Sequence, residues 1–160
     1  MNKITVLLIT ITCIAAGITH AYANESTVIT MNLDDTAGIT IEPSTWEIDG
    51  STGSVSSTQM WLNNTGAVAV SVNISTNATT DSGDWSLALV AGHDAYYLRE
   101  NNTGASWTNI TATGYLFDAN VAAQGQSGDS TSFDIEVGYP TSSSTADSQE
   151  TRVTFTATVN

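Results

Sequence analysis

A chain of 160 residues with 3 basic residues against 16 acids carries a formal net charge of −13 and amounts to one domain's worth of sequence. Nothing in it could neutralise a run of phosphates, which excludes nucleic acid as a partner and disfavours anionic membrane surfaces. One cysteine and two histidines leave little for disulfide, zinc or nucleophilic chemistry.

The N-terminus reads as a secretory signal. Lys3 is followed by an apolar core, Ile4 to Ile18, and then by Ala21-Tyr22-Ala23, an A-x-A cleavage site. Residues 1–23 are the expected signal peptide. The alternative, an uncleaved anchor, is opposed by His20 and the small residues near its end. Cys13 lies inside the apolar core without the flanking residues a lipoprotein signal needs. Cleavage removes the one cysteine and the one lysine. The mature chain, from Asn24, keeps Arg99 and Arg152 against all 16 acids, a formal charge of −14. Such a chain is soluble, cannot be stapled by a disulfide or a Lys–Asn isopeptide bond, and is expected outside the cell or on its surface, with no stable membrane insertion.

Thr27 to Leu33 is a short apolar strand directly after the cleavage site, and an N-terminal strand segment is drawn over residues 24–37. Ile39 and Ile41 share one face of the next strand, Pro43 breaks it, and Trp46 and Ile48 resume in phase. Residues 60–74 carry the clearest pattern. Met60 and Leu62 alternate with Trp61, and Val68, Val70, Val72 and Ile74 alternate with small polar residues. Asn63-Asn64-Thr65-Gly66 between them has the composition of a hairpin turn. Trp85, Leu87 and Leu89 alternate, then Tyr96 and Leu98. Asn101-Asn102-Thr103-Gly104 repeats the turn tetrapeptide. Phe133, Ile135 and Val137, then Val153, Phe155, Ala157 and Val159, close the chain. No stretch has helical periodicity. The expected fold is all-β, an immunoglobulin-like antiparallel β-sandwich of about seven to nine strands, with residues 38–160 as the sandwich domain.

The strand with Thr45-Trp46-Glu47, the Asn-Thr-Gly turn into a Val-rich strand, and the Trp-x-Leu strand at Trp85 resemble exported prokaryotic immunoglobulin-like surface domains of archaeal type. Tyr96 and Leu98, and the final Val153–Ala157 strand after a Pro-Thr-Ser loop, continue the likeness. A weaker resemblance, of layout alone, is to camelysin-type fibre subunits, which polymerise by lending an N-terminal strand to a neighbour. That resemblance implies a non-enzymatic surface structural protein, a fibre or pilus-type subunit, with other copies of itself or surface proteins as partners. Ile29, Met31 and Leu33 would then be the assembly strand's inward set. The other reading makes Thr27–Leu33 the first strand of its own sandwich.

Sites for chemistry are few. His93-Asp94 could be half of a Ser-His-Asp arrangement, but no serine sits in a Gly-x-Ser-x-Gly elbow. The sequence implies no enzyme and no cofactor. Calcium is the one metal with oxygen ligands to hand, at Asp34-Asp35 or at Asp81 and Asp84, though neither pair lies in an EF-hand pattern. Trp46 and Trp85 are in phase with core positions. Trp61 is out of phase with Met60 and Leu62, Trp107 lies just after a turn, and with Tyr97 the two would form a glycan-stacking platform if one face held them. That supports the rival reading, an extracellular adhesion or carbohydrate-binding module. Sequons occur at Asn24, Asn63, Asn73, Asn77, Asn101 and Asn109. Asn73 on an outward strand face, and Asn63 and Asn101 opening turns, are expected to be accessible to glycosylation.

Overall fold

The computed structural model describes residues 26–34, 38–49, 53–102, 104, 106–145 and 147–160. The expected signal peptide, residues 1–23, and Asn24 lie outside them. The strands are β1 (Ser26–Asp34), β2 (Ile39–Glu42), β3 (Thr45–Asp49), β4 (Ser54–Ser56), β5 (Met60–Asn64) and β6 (Val70–Thr76). They continue with β7 (Ser86–Leu87), β8 (Ala95–Asn101), β9 (Thr108–Asn109), β10 (Tyr115–Val121), β11 (Ser130–Gly138) and β12 (Gln149–Val159). Twelve strands exceed the expected seven to nine because β4, β7 and β9 are two- or three-residue pieces along the second sheet.

The chain is an all-β sandwich of two sheets. The first runs β10-β6-β12-β1-β3; the second runs β2-β5-β11-β8-β7, with β4 on β11 and β9 on β8. Pairing is antiparallel except for β1 with β12 and β7 with β8. Two-residue alternation explains the layers. Val70, Val72 and Ile74 enter the core from the first sheet, and Met60 and Leu62 meet them from the second, all essentially unexposed.

Residues 60–74 are therefore not a hairpin. β5 and β6 belong to opposite sheets, and Thr65–Ala69 arches between them. Asn64 sits at the crossing. It is buried, and its side-chain amide donates to Val68 O at 2.8 Å, Ala122 O at 2.9 Å and Val121 O at 3.3 Å. Its Oδ1 accepts from the Gly66 N–H at 2.8 Å. The two hydrogens of one carboxamide are thus shared among three carbonyls where the chain leaves a sheet, the bond to Val121 O being buried. The second Asn-Asn-Thr-Gly does join neighbours, since β9 pairs antiparallel with β8.

Two aromatic clusters fill the core. Phe117, Phe133 and Phe155 meet with centroids 5.3–5.4 Å apart, and Trp85 packs on Tyr96 and Tyr139 at 6.4 and 6.1 Å. The expected Trp85–Leu89 strand shrinks to β7. Trp85 is buried, but the chain turns away after Ala88, and Leu89 and Val90 are exposed.

Candidate functional site

β1 is the inner strand that joins β12 to β3. It runs parallel to β12 from Thr27↔Gln149 to Asp34↔Thr156 and antiparallel to β3 from Ser26↔Asp49 to Thr30↔Thr45. Ile29 and Met31 are buried in the core. Leu33 keeps the register, opposite Phe155, and its side chain lies outside the described residues. The segment is thus not a strand standing ahead of a finished sandwich. Residues 38–160 without it would leave β12 and β3 with an unpaired row of backbone groups each.

The outer face of the second sheet gathers polar and aromatic side chains. On β11, Ser132, Asp134 and Glu136 alternate with buried Phe133, Ile135 and Val137. On β8, Tyr97, Arg99 and Asn101 alternate with buried Tyr96, Leu98 and Glu100. Cross-strand register aligns Trp61 with Ser132, Asp134 with Asn101, and Glu136 with Arg99. Gln59 directly precedes Met60, the partner of Phe133, so it comes level with Asp134. Trp107 directly precedes Thr108, the partner of Glu100, so it comes level with Asn101.

Beyond that row lies a tight ion-pair cluster. Arg99 forms a salt bridge with Glu136, its Nε donating at 3.0 Å, and the Tyr97 hydroxyl donates to the same carboxylate at 3.0 Å. The guanidinium lies 4.5 Å from the Tyr97 ring centroid. The hydrogen bond to Glu136 holds the Arg99 pKa above its ordinary value. Gly138 makes room for the ring: a Cβ there would stand 1.9 Å from Tyr97 Cε1. Tyr97 is therefore tied to Arg99 and Glu136. The sequence signalled Trp61 by its break of phase and Trp107 by its place just after a turn, with Tyr97 as a possible companion. It gave no sign of Gln59, Ser132 or Asp134, whose meeting depends on strand register.

No protein-family model matches the chain, and no curated protein matches it in sequence.

The remaining candidates resolve differently. Asp81 accepts from Asn77 Nδ2 at 3.3 Å and faces Arg152 at 3.5 Å, whereas Asp84 accepts from Gln149 Nε2 at 3.3 Å. The two expected calcium ligands thus address different protein partners. Among the described residues no three His, Cys, Asp or Glu side chains converge. His93 Nδ1 lies 3.0 Å from Asp94, but the Ser144 hydroxyl donates to Asp94 at 2.7 Å, so this serine is attached to the acid and not to the imidazole. Hydrogen bonds from the Ser144 N–H and hydroxyl hold the Asp94 carboxyl below its ordinary pKa and fasten the 141–145 loop to the start of β8.

Of the sequon asparagines within the described residues, Asn73 is exposed on the outer face of β6, as expected. Asn63 and Asn101 lie at the ends of strands and do not open turns. Both are half-buried, because β5 and β8 extend through them and hold them as strand residues paired with Thr40 and Asp134. Asn77 and Asn109 are half-buried too, and Asn109 Oδ1 is fully covered. Trp61 and Trp107 are exposed at 44% and 36%.

Glu100 is the buried carboxylate of this region. It accepts from the Tyr115 hydroxyl at 2.9 Å and the Asn102 N–H at 2.7 Å. Burial raises its pKa above the ordinary carboxylate value, against the lowering effect of those two bonds. A raised carboxyl contributes stability below its unfolded pKa that is lost as pH rises through the folded one. Tyr115→Phe leaves one buried carboxylate oxygen unpaired. It is expected to cost about 1–3 kcal/mol at neutral pH and to raise the Glu100 pKa further. The deficit against wild type should therefore shrink as pH falls toward 4, which urea unfolding at a series of pH values would register.

Proposed function

We propose that this is an exported, non-enzymatic cell-surface structural protein related to the prokaryotic immunoglobulin-like surface domains, and that its copies assemble by exchanging β1. The single observation that carries the reading is the seat of β1. It is the first described strand, it fills a slot between two strands that come later in the chain, and its register with β12 extends over eight residue pairs. A neighbour's β1 would make the same ladder and bury the same Ile29 and Met31, so exchange preserves every contact and changes only the connection over residues 35–38. The high negative charge opposes association at low salt and is screened within about 10 Å at 0.1 M.

A disulfide lock tests the exchange cleanly, because residues 24–160 contain no cysteine. Thr30 and Arg152 are register partners on the outer side of the sheet. In the Thr30→Cys/Arg152→Cys variant of residues 24–160, oxidation under dilute conditions fixes β1 in its own chain. Electron microscopy in moderate salt should show filaments from wild type and from the reduced variant, and monomers from the oxidised one. Filaments from the oxidised variant, or monomers from all three, would make β1 an ordinary core strand.

A further inference from the structure

The second sheet carries an open groove of about 230 Å³, lined by Gln59, Asn101, Asn102, Ser132 and Asp134; Trp61 and Trp107 are not part of that lining, and register sets them level with Ser132 and Asn101. We propose that it binds a neutral, β-linked glycan chain laid across β5, β11, β8 and β9, with a pyranose ring stacked on each tryptophan.

The row Gln59, Asp134, Asn101, Trp107 crosses the strands nearly at right angles, one residue per strand. Adjacent strands lie about 4.8 Å apart, so Trp61 on β5 and Trp107 beside β9 are separated by roughly 14 Å across the sheet. That span suits a short oligosaccharide rather than a single ring. The aromatic ends supply flat apolar surface at low entropy cost, and a β-linked chain with equatorial hydroxyls offers flat apolar ring faces to match. Between them stand two carboxamides and a carboxylate, planar groups able to address vicinal hydroxyls as paired donors and acceptors.

One observation shows that this row is not consumed by the fold. The side chains of Gln59, Ser132 and Asp134 make no hydrogen bond to any described residue, so their donors and acceptors are left to address sugar hydroxyls. Asn102 is not part of this reserve, since its Nδ2 donates to Phe117 O at 2.6 Å.

Charge selects among glycans. Arg99 is the nearest cation, and it is held by Glu136. Asp134, in a chain of strongly negative charge, repels uronic acids and sulfated sugars. Asn101 also opens a sequon, and a glycan attached there would fill the groove, so the test requires protein from a host without N-glycosylation. The groove lies on the opposite sheet from β1, so it stands or falls independently of strand exchange.

The experiment is calorimetric titration of residues 24–160 with cellohexaose, laminarihexaose, mannohexaose and chitohexaose. Oligogalacturonate is the anionic comparison and fully deacetylated chitosan hexamer the cationic one. At least one neutral hexasaccharide should bind, with a shift in tryptophan fluorescence, and oligogalacturonate should not. Trp61→Ala, Trp107→Ala and Asp134→Ala should each weaken binding roughly tenfold or more, while thermal unfolding stays near wild type because all three side chains lie on the outer face. Three outcomes overturn the proposal: no neutral hexasaccharide binds, only the chitosan hexamer binds and does so salt-dependently, or affinity survives loss of both tryptophans.

Discussion

Asn64→Asp should destabilise the protein by about 3–5 kcal/mol, although it exchanges a single NH₂ for oxygen. The new side chain fits the same space and can still accept from the Gly66 N–H. Its other oxygen, however, faces the carbonyls of Val68, Val121 and Ala122, which the native amide serves as donor. Acceptor meets acceptor, and a charge sits where the native residue is only 2% exposed. The loss should be pH-dependent in a defined direction. Protonation restores one donor, so the folded pKa of the new carboxyl lies above its unfolded value of about 3.9. The variant is then least handicapped below that pH and loses stability as pH rises through the folded pKa. Thermal unfolding at pH 7 should fall by roughly 10–20 °C. A midpoint unchanged from wild type would mean that Asn64 does not hold the arch. Asn64→Ala, which removes the donor without adding charge, should cost less and show no such pH slope.

Phe155→Ala should cost about 3–5 kcal/mol as well, for a reason of volume instead of polarity. Phe155 is fully buried on β12 and touches both other rings of its cluster, Phe117 from β10 and Phe133 from β11. It thus ties β12 to β11 of the second sheet and braces Phe117, which meets Phe133 on its own account. Removing it leaves a cavity that neither ring can close without leaving its own edge-on contact, the Phe117–Phe133 pair at 81°. Urea titration should give a lowered midpoint with an unchanged slope. Phe155→Leu, which retains most of the volume, should recover much of the loss. A cost below about 1 kcal/mol for the alanine variant would mean that the sheets are held together elsewhere.

Alternation made the strands legible. Val70, Val72 and Ile74, or Phe133, Ile135 and Val137, announce which way their strands face. What alternation does not contain is the partner. Met60 and Leu62 would share one face with Val70 and Val72 in a hairpin and would oppose them across a core in an arch, and both arrangements bury the same residues. The arch is marked by Asn64, whose amide reaches carbonyls at Val121 and Ala122, far along the chain. The tetrapeptide Asn-Asn-Thr-Gly illustrates the limit, since it arches between sheets in its first copy and joins paired strands in its second. The same limit explains the candidate site. Trp61 stood out because it broke phase and Trp107 because it follows a turn, whereas Asp134 and Asn101 are ordinary outward residues until register sets them side by side.

The parallel pairing of β1 with β12 has a mechanical meaning. The chain enters β1 at Ser26, level with the end of the sheet where β12 begins, and leaves β12 at Val159, toward the opposite end. Tension applied to the two ends therefore slides these strands past each other lengthwise. In that geometry the ladder from Thr27↔Gln149 to Asp34↔Thr156 is loaded all at once, and its bonds must fail together. Peeling, which breaks one bond at a time, is available only to strands pulled away sideways. A domain built this way resists force along its own axis, and under the proposed exchange a neighbour's β1 in the same slot would pass that force from copy to copy.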